Sequence, residues 1–160
     1  MHAKAERIAA LLESAGLEPT VRELPDSTRT AVEAADAIGT TVAQIAKSLI
    51  FVTPSGTDGL DRVVLVVASG INRVDVAKVE GIVGAPIHRP DARTVKLLTG
   101  YSIGGVPPFA HLTEPTTILD ADLMEFDEIW AAAGTPNAVF RLTPAELEML
   151  SGGTIDDIKA

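Results

Sequence analysis

Two short, almost unbroken apolar runs constrain this chain more than anything else in it. Residues 45–52 read Ile-Ala-Lys-Ser-Leu-Ile-Phe-Val and residues 63–68 read Val-Val-Leu-Val-Val-Ala. Runs of this length, rich in β-branched residues and bounded by turn formers, read as buried strands. The stretch between them, Pro54-Ser55-Gly56-Thr57-Asp58-Gly59, is turn chemistry, so the pair reads as a hairpin with a long loop. Around it the pattern alternates. Helices are predicted over residues 4–15, 31–38, 75–82, 91–98 and 144–150, and further strands over residues 20–24, 116–119, 128–132 and 138–142. Ser27-Thr28-Arg29-Thr30 precedes the second helix as a cap region, and Pro144 suits the first turn of the last. Strands in pairs and runs with helices interspersed predict an α+β fold with a mixed, curved sheet, not a doubly wound parallel one.

At 160 residues the chain is predicted to form one domain spanning residues 1–160, large enough for a real core. Aromatic residues make up only 4%, so that core must be aliphatic. There is no cysteine, which removes disulfides, thiolate metal sites and cysteine nucleophiles, and fits a reducing cytoplasm. No apolar run reaches membrane-spanning length, so a soluble, cytoplasmic protein without membrane partners is expected. The net charge of −9 argues against a general nucleic-acid binder, and no DNA contact is expected. The charge is uneven, however. From Glu114 onward ten acids face only Arg141 and Lys159, whereas residues 47–96 hold seven bases against five acids. A basic patch touching one end of an RNA fits this distribution; a long duplex groove does not.

Two features carry chemistry. Lys47 interrupts the apolar strand and must snorkel, pair or line a cavity; the competing reading is a lysine on the solvent side of an edge strand. The second is Thr99-Gly100-Tyr101-Ser102-Ile103-Gly104-Gly105-Val106-Pro107-Pro108-Phe109. Gly104 and Gly105 admit positive φ and close approach to main-chain N–H groups, while Pro107 and Pro108 stiffen the end of the loop. Such a loop is either a tight turn or a cradle of backbone donors for a carbonyl or phosphate oxygen.

The succession of Ile45-Ala46-Lys47-Ser48-Leu49-Ile50-Phe51, the second strand, Gly70-Ile71-Asn72-Arg73-Val74-Asp75 and the Gly104–Pro108 loop resembles the YbaK-type aminoacyl-tRNA deacylases, a domain also inserted as an editing module in many bacterial prolyl-tRNA synthetases. The resemblance covers about residues 25–150. It implies a partly open, barrel-like sheet flanked by helices, with the Gly104–Pro108 loop at its mouth. It implies further that Lys47 contacts the 3′-terminal adenosine or its phosphate, that Gly104 and Gly105 offer N–H groups to the scissile carbonyl, and that Val106, Pro107 and Pro108 wall the amino-acid pocket. The implied partners are the 3′ acceptor end of an aminoacyl-tRNA, tRNA-Pro carrying a small non-cognate amino acid such as alanine, and prolyl-tRNA synthetase. Some members carry a Ser-Gly-Gly-like run on a later strand that touches the misacylated side chain. Here it is Ala131-Ala132-Ala133-Gly134, an apolar wall that suits alanine and puts cysteine specificity in doubt.

No nucleophile elbow, histidine triad or metal-ligand spacing appears, so neither metal nor cofactor is expected. An aminoacyl ester is already activated, and positioned water with an oxyanion site suffices to cleave it; the resemblance implies that the substrate's terminal ribose hydroxyl helps orient that water. Three residues keep two readings each. His111 lines the pocket or caps the loop, Thr30 borders the site or caps a helix, and Arg73 contacts RNA phosphate or belongs to a turn. The alternative to a deacylase is a non-catalytic module of the same fold that binds tRNA or a synthetase.

Overall fold

A computed structural model describes residues 1–25, 30–54 and 62–160; residues 27–29 of the expected cap region and 55–59 of the expected turn lie outside them. The described elements run α1 (Ala3–Ser14), β1 (Arg22–Glu23), α2 (Ala31–Ile38), β2 (Ile45–Thr53), β3 (Arg62–Ser69), α3 (Val76–Val83), α4 (Ala92–Thr99), β4 (Thr116–Asp120), β5 (Ile129–Ala132), β6 (Ala138–Leu142), α5 (Pro144–Ser151) and β7 (Thr154–Asp156). Side chains at the starts dictate the helices. Thr30, Asp75, Asp91 and Thr143 each accept the N–H three residues on, and Thr143 with Glu146 completes a capping box behind Pro144.

The strands form one open, seven-stranded mixed sheet in the order β1-β6-β5-β2-β3-β4-β7. The α+β class and the mixed sheet predicted from sequence are both present. The β2–β3 hairpin is antiparallel from Ala46↔Ser69 to Thr53↔Arg62. Side chains alternate across it. Ala46, Ile50, Leu65 and Val67 face a core closed by Ile8 and Leu12 of α1, Val95 of α4 and Leu147 of α5. On the other face are two separate clusters. Ile45, Trp130 and Val139 pack under Ala34 and Ala35 of α2, and Phe51, Val64, Val66 and Ile118 pack under Val79 of α3 and Ile158. Lys47 falls on this second face, between the two clusters.

The sheet splits beside Lys47. β2 and β5 are parallel but pair only at Ile45↔Trp130 and Ala46↔Ala131, and β5 stops at Ala132. On that side the next bridge of β2 is Val52↔His88, made by N–H···O=C bonds of 2.9 and 3.0 Å. Backbone groups alternate sides along a strand, so those of Ser48 and Ile50 point into the gap as those of Val52 do. The segment after α4 fills the gap from one side and is pinned at several points. Gly105 N–H donates to the Ser102 carbonyl (2.9 Å), the Tyr101 hydroxyl to Ala110 O (2.9 Å), and Leu112 and Thr113 N–H to Thr99 and Leu98. Ala110 is the one non-glycine among the described residues with positive φ, at 67°.

Candidate active site

Where the sheet splits, a cavity of about 180 Å³ opens among α2, β2, the 103–106 loop and the turn after β5. Its walls are mostly apolar and small: Ala31 and Ala34 from α2, Ala46 from β2, Ala131 and Ala132 from β5 and Ala138 from β6, with Val106, Trp130 and Val139. Polar groups converge on it from two sides. From β2 comes Lys47, whose ammonium has no hydrogen-bond or ion-pair partner among the described residues. Burial holds it below its ordinary value of 10.5; the Asp120 carboxylate opposes that shift and the Arg73 guanidinium adds to it. A half-buried cation without a partner disfavours its own charge unless a ligand supplies the anion.

From the loop come Gly104, at φ 92°, and Val106. Neither N–H has a partner among the described residues, although Val106 is only 5% exposed. Unpaired buried N–H groups are rare, and these two are free to donate to a ligand. Two more groups in the wall, Ser48 Oγ and Trp130 Nε1, are buried without a partner.

The aminoacyl-tRNA editing domain family matches residues 25–150, most of the chain. The chain belongs to that family. This editing domain is 36% identical over 134 residues to the uncharacterised protein YwhH of Bacillus subtilis (strain 168), covering 84% of this chain and 82% of that one. Among solved structures it resembles a candidate trans-editing enzyme for prolyl tRNA synthetase, with TM-score 0.89, 44% identity, and 100% and 99% of the two chains covered. A hypothetical protein, APE2540, superposes with TM-score 0.85 at 29% identity over 98% and 99% of the chains. The function of the editing domain is accordingly of the aminoacyl-tRNA deacylase type.

The residues singled out from sequence sort into three places. Lys47, Gly104, Val106 and Thr30 line the cavity. Thr30 does so while capping α2: its hydroxyl accepts from Glu33 N–H (3.1 Å) and donates to the Glu33 carboxylate (2.9 Å). Gly105, Pro107, Pro108 and His111 do not line it. Of the two glycines expected as donors, Gly105 gives its N–H to the Ser102 carbonyl, and a Cβ there would lie 2.8–3.0 Å from the Thr135 backbone. Gly105 therefore packs closely against the Thr135 backbone, while the Val106 N–H beside it is unclaimed among the described residues. Pro107 and Pro108 are buried behind the wall. Arg73 lies beyond the cavity, near enough to Lys47 for its charge to be felt. Ser48 and Trp130 were not anticipated; the only signal for Ser48 is a second polar side chain beside Lys47 in an apolar strand.

His111 anchors the loop. Its Nε2 lies 2.6 Å from the Pro107 carbonyl, which only accepts, so Nε2 carries the proton and Nδ1 is a bare acceptor, buried and unpartnered. Burial pushes the imidazole below its ordinary 6.5, against the hydrogen bond to Pro107. Below pH 6.5 the unfolded chain therefore takes up a proton that the folded chain resists. This contribution to stability is complete above that value and lost as pH falls beneath it. The melting temperature of the parent is expected to drop on acidification through this range. His111→Gln should melt lower at neutral pH but flatten the dependence; an equal slope in both proteins rules the histidine out as the cause.

Proposed function

We propose that the chain is a trans-acting deacylase of mischarged tRNA, taking a small amino acid such as alanine from the 3′ end, with tRNA-Pro as the carrier. The observation that carries this reading is one cavity lined both by Lys47, whose half-buried ammonium has no partner among the described residues, and by Gly104 and Val106, whose main-chain N–H groups are unclaimed. Lys47 takes the anionic phosphate of the terminal adenosine, which restores the charged form that burial disfavours. The ester carbonyl oxygen then lies against Gly104 and Val106 N–H, donors fixed before the reaction and aimed at the charge that develops on that oxygen. Water attacks the carbonyl carbon, the tetrahedral intermediate collapses, and the terminal ribose oxygen leaves as the hydroxyl, its proton coming from solvent.

Size decides what enters. An apolar cavity of about 150 Å³ holds benzene, so about 180 Å³ admits a small aminoacyl group against the alanine wall. Each extra methylene changes discrimination by about 1–3 kcal/mol, so related small amino acids are separated by rate, not absolutely. Single-turnover deacylation across tRNAs mischarged with alanine, serine, cysteine and leucine tests this. Alanine should be removed fastest and leucine spared; binding of tRNA without hydrolysis of any member would point to a docking module instead. The absence of cysteine and of metal-ligand spacing leads to a companion expectation. Hydrolysis should persist in EDTA and after thiol reagents, and loss in EDTA restored by a divalent metal would contradict the scheme.

A further inference from the structure

The cavity's lysine is one member of a row. Lys47 pairs with Ala68 across the hairpin, and the parallel register Val67↔Leu119 continues to put Ala68 beside Asp120. Directly paired residues share a face, so Lys47, Ala68 and Asp120 stand in line on one side of the sheet, the outer two about 10 Å apart at their backbones, two strand spacings. Asp120 is 1% exposed. Its Oδ2 accepts from Ser69 N–H (2.9 Å) and Asn72 Nδ2 (2.8 Å), and its Oδ1 accepts from Asp122 N–H (2.9 Å). The Asn72 amide also donates to Asp122 (2.8 Å), whose carboxylate receives the Lys159 ammonium (3.0 Å). No cation among the described residues lies within ion-pair distance of Asp120 itself.

The same hydrogen bonds fix the turn that leaves β3, and that turn ends on Arg73. The Arg73 backbone is held by a bond from Ala160 N–H (2.9 Å), and its side chain is exposed and free of any acid among the described residues. A buried carboxylate at the end of β4 and an exposed guanidinium at the end of the turn after β3 are thus tied together through Asn72, next to the stretch of β3 that pairs with Lys47.

We propose that Asp120 and Arg73 are positioning residues for the deacylation, a carboxylate of β4 and a guanidinium of the turn it holds through Asn72, which together fix the state and placement of the Lys47 ammonium. This rests on the reading of Lys47 as the group that receives the substrate's phosphate. Asp120 favours the charged lysine and Arg73 disfavours it, both acting on a group that burial already weakens. The other charges nearby, Asp122 and Lys159, neutralise each other at 3.0 Å. Opposed charges of this kind matter most where solvent is partly excluded, since the interaction falls with the local dielectric. A purely structural carboxylate would serve the three N–H groups equally well and leave Lys47 untouched.

The test reads Lys47 directly in the free protein. With lysine labelled at Cε, and the Lys47 signal assigned by its loss in Lys47→Met, the titration midpoint is followed by NMR in the parent, Arg73→Gln and Asp120→Asn. The expected order is Arg73→Gln above the parent and Asp120→Asn below it. Arg73 is exposed, so its variant folds; should the amide at position 120 meet its three N–H donors badly and melt the protein, Asp120→Ala leaves room for water there. An unmoved or lowered midpoint in Arg73→Gln overturns the proposal on its own, and so does an unmoved midpoint in a folded Asp120 variant. The pH profile of single-turnover deacylation should move with the lysine. A profile that stays put while the midpoint moves refutes the phosphate-binding reading of Lys47 and leaves the charge coupling standing.

Discussion

Lys47→Ala is expected to lower single-turnover deacylation by about ten- to a hundredfold while the melting temperature stays the same or rises. The two readouts separate because the lysine's costs and benefits fall in different states. In the free protein the ammonium is half-buried, unpartnered and held below its usual value by desolvation. Its removal therefore forfeits little stability and relieves a desolvation cost. In the proposed complex it would make a charge-assisted hydrogen bond, and such bonds contribute about 1.5–3 kcal/mol, with each 1.4 kcal/mol a factor of ten in rate. Binding of uncharged tRNA should weaken in the same variant and become less steep in salt, by about one phosphate contact. Wild-type hydrolysis by folded Lys47→Ala would remove the lysine from the reaction.

Gly104→Ala and Gly105→Ala should fail in opposite ways, although the residues are neighbours. Gly104 sits at φ 92° on the cavity wall with its N–H unclaimed. A Cβ there strains the backbone by about 1–2 kcal/mol and stands in the path of the ester. Loss of one oxyanion donor costs about a hundred- to a thousandfold in rate, so single-turnover hydrolysis should fall by that order with tRNA affinity little changed. Gly105 faces the other way. A Cβ at 2.8–3.0 Å from three backbone atoms of Thr135 cannot be absorbed by a side-chain rotation. Gly105→Ala should melt well below the parent, by an amount set by how far the 102–106 turn and the 133–136 turn separate. Melting temperature and single-turnover rate on the same preparations decide the matter. A normal rate in Gly104→Ala would reduce the loop to a turn.

Much of the frame could be read from local rules. Helix α2 fills the span expected over residues 31–38 behind its Thr30 cap, and the hairpin pairs where its apolar runs end. What escaped the sequence is what depends on how distant elements meet. The strand expected over residues 20–24 shrinks to Arg22–Glu23 because only those two join the β6 ladder, opposite Val139 and Ala138. The edge strand β7, three residues after a glycine pair, carries no periodicity long enough to announce itself. At the site, Lys47 was legible because a charge stands out in an apolar run. Asp120 was not, because a carboxylate closing a strand looks like any surface cap until Ser69, Asn72 and Asp122 are seen to converge on it. The two glycines could not be told apart in sequence at all, since the close packing that sets Gly105 apart lies in Thr135, thirty residues away.

The two-residue seam between β2 and β5 has a consequence for how selectivity is tuned. The sheet is in effect two half-sheets, β1-β6-β5 and β2-β3-β4-β7, joined at Ile45↔Trp130 and Ala46↔Ala131. The cavity is the space just past that joint. Its bore is therefore set not only by its lining, in which the alanines leave little to trim, but also by the angle at which the halves splay. Like a caliper, such a joint would convert a small rotation at Ala46 and Ala131 into a larger change of opening at Ser48 and Gly104. Enlarging the accepted residue would then call for substitutions at the seam and under α2, where the splay is held, and not for further trimming of an alanine wall.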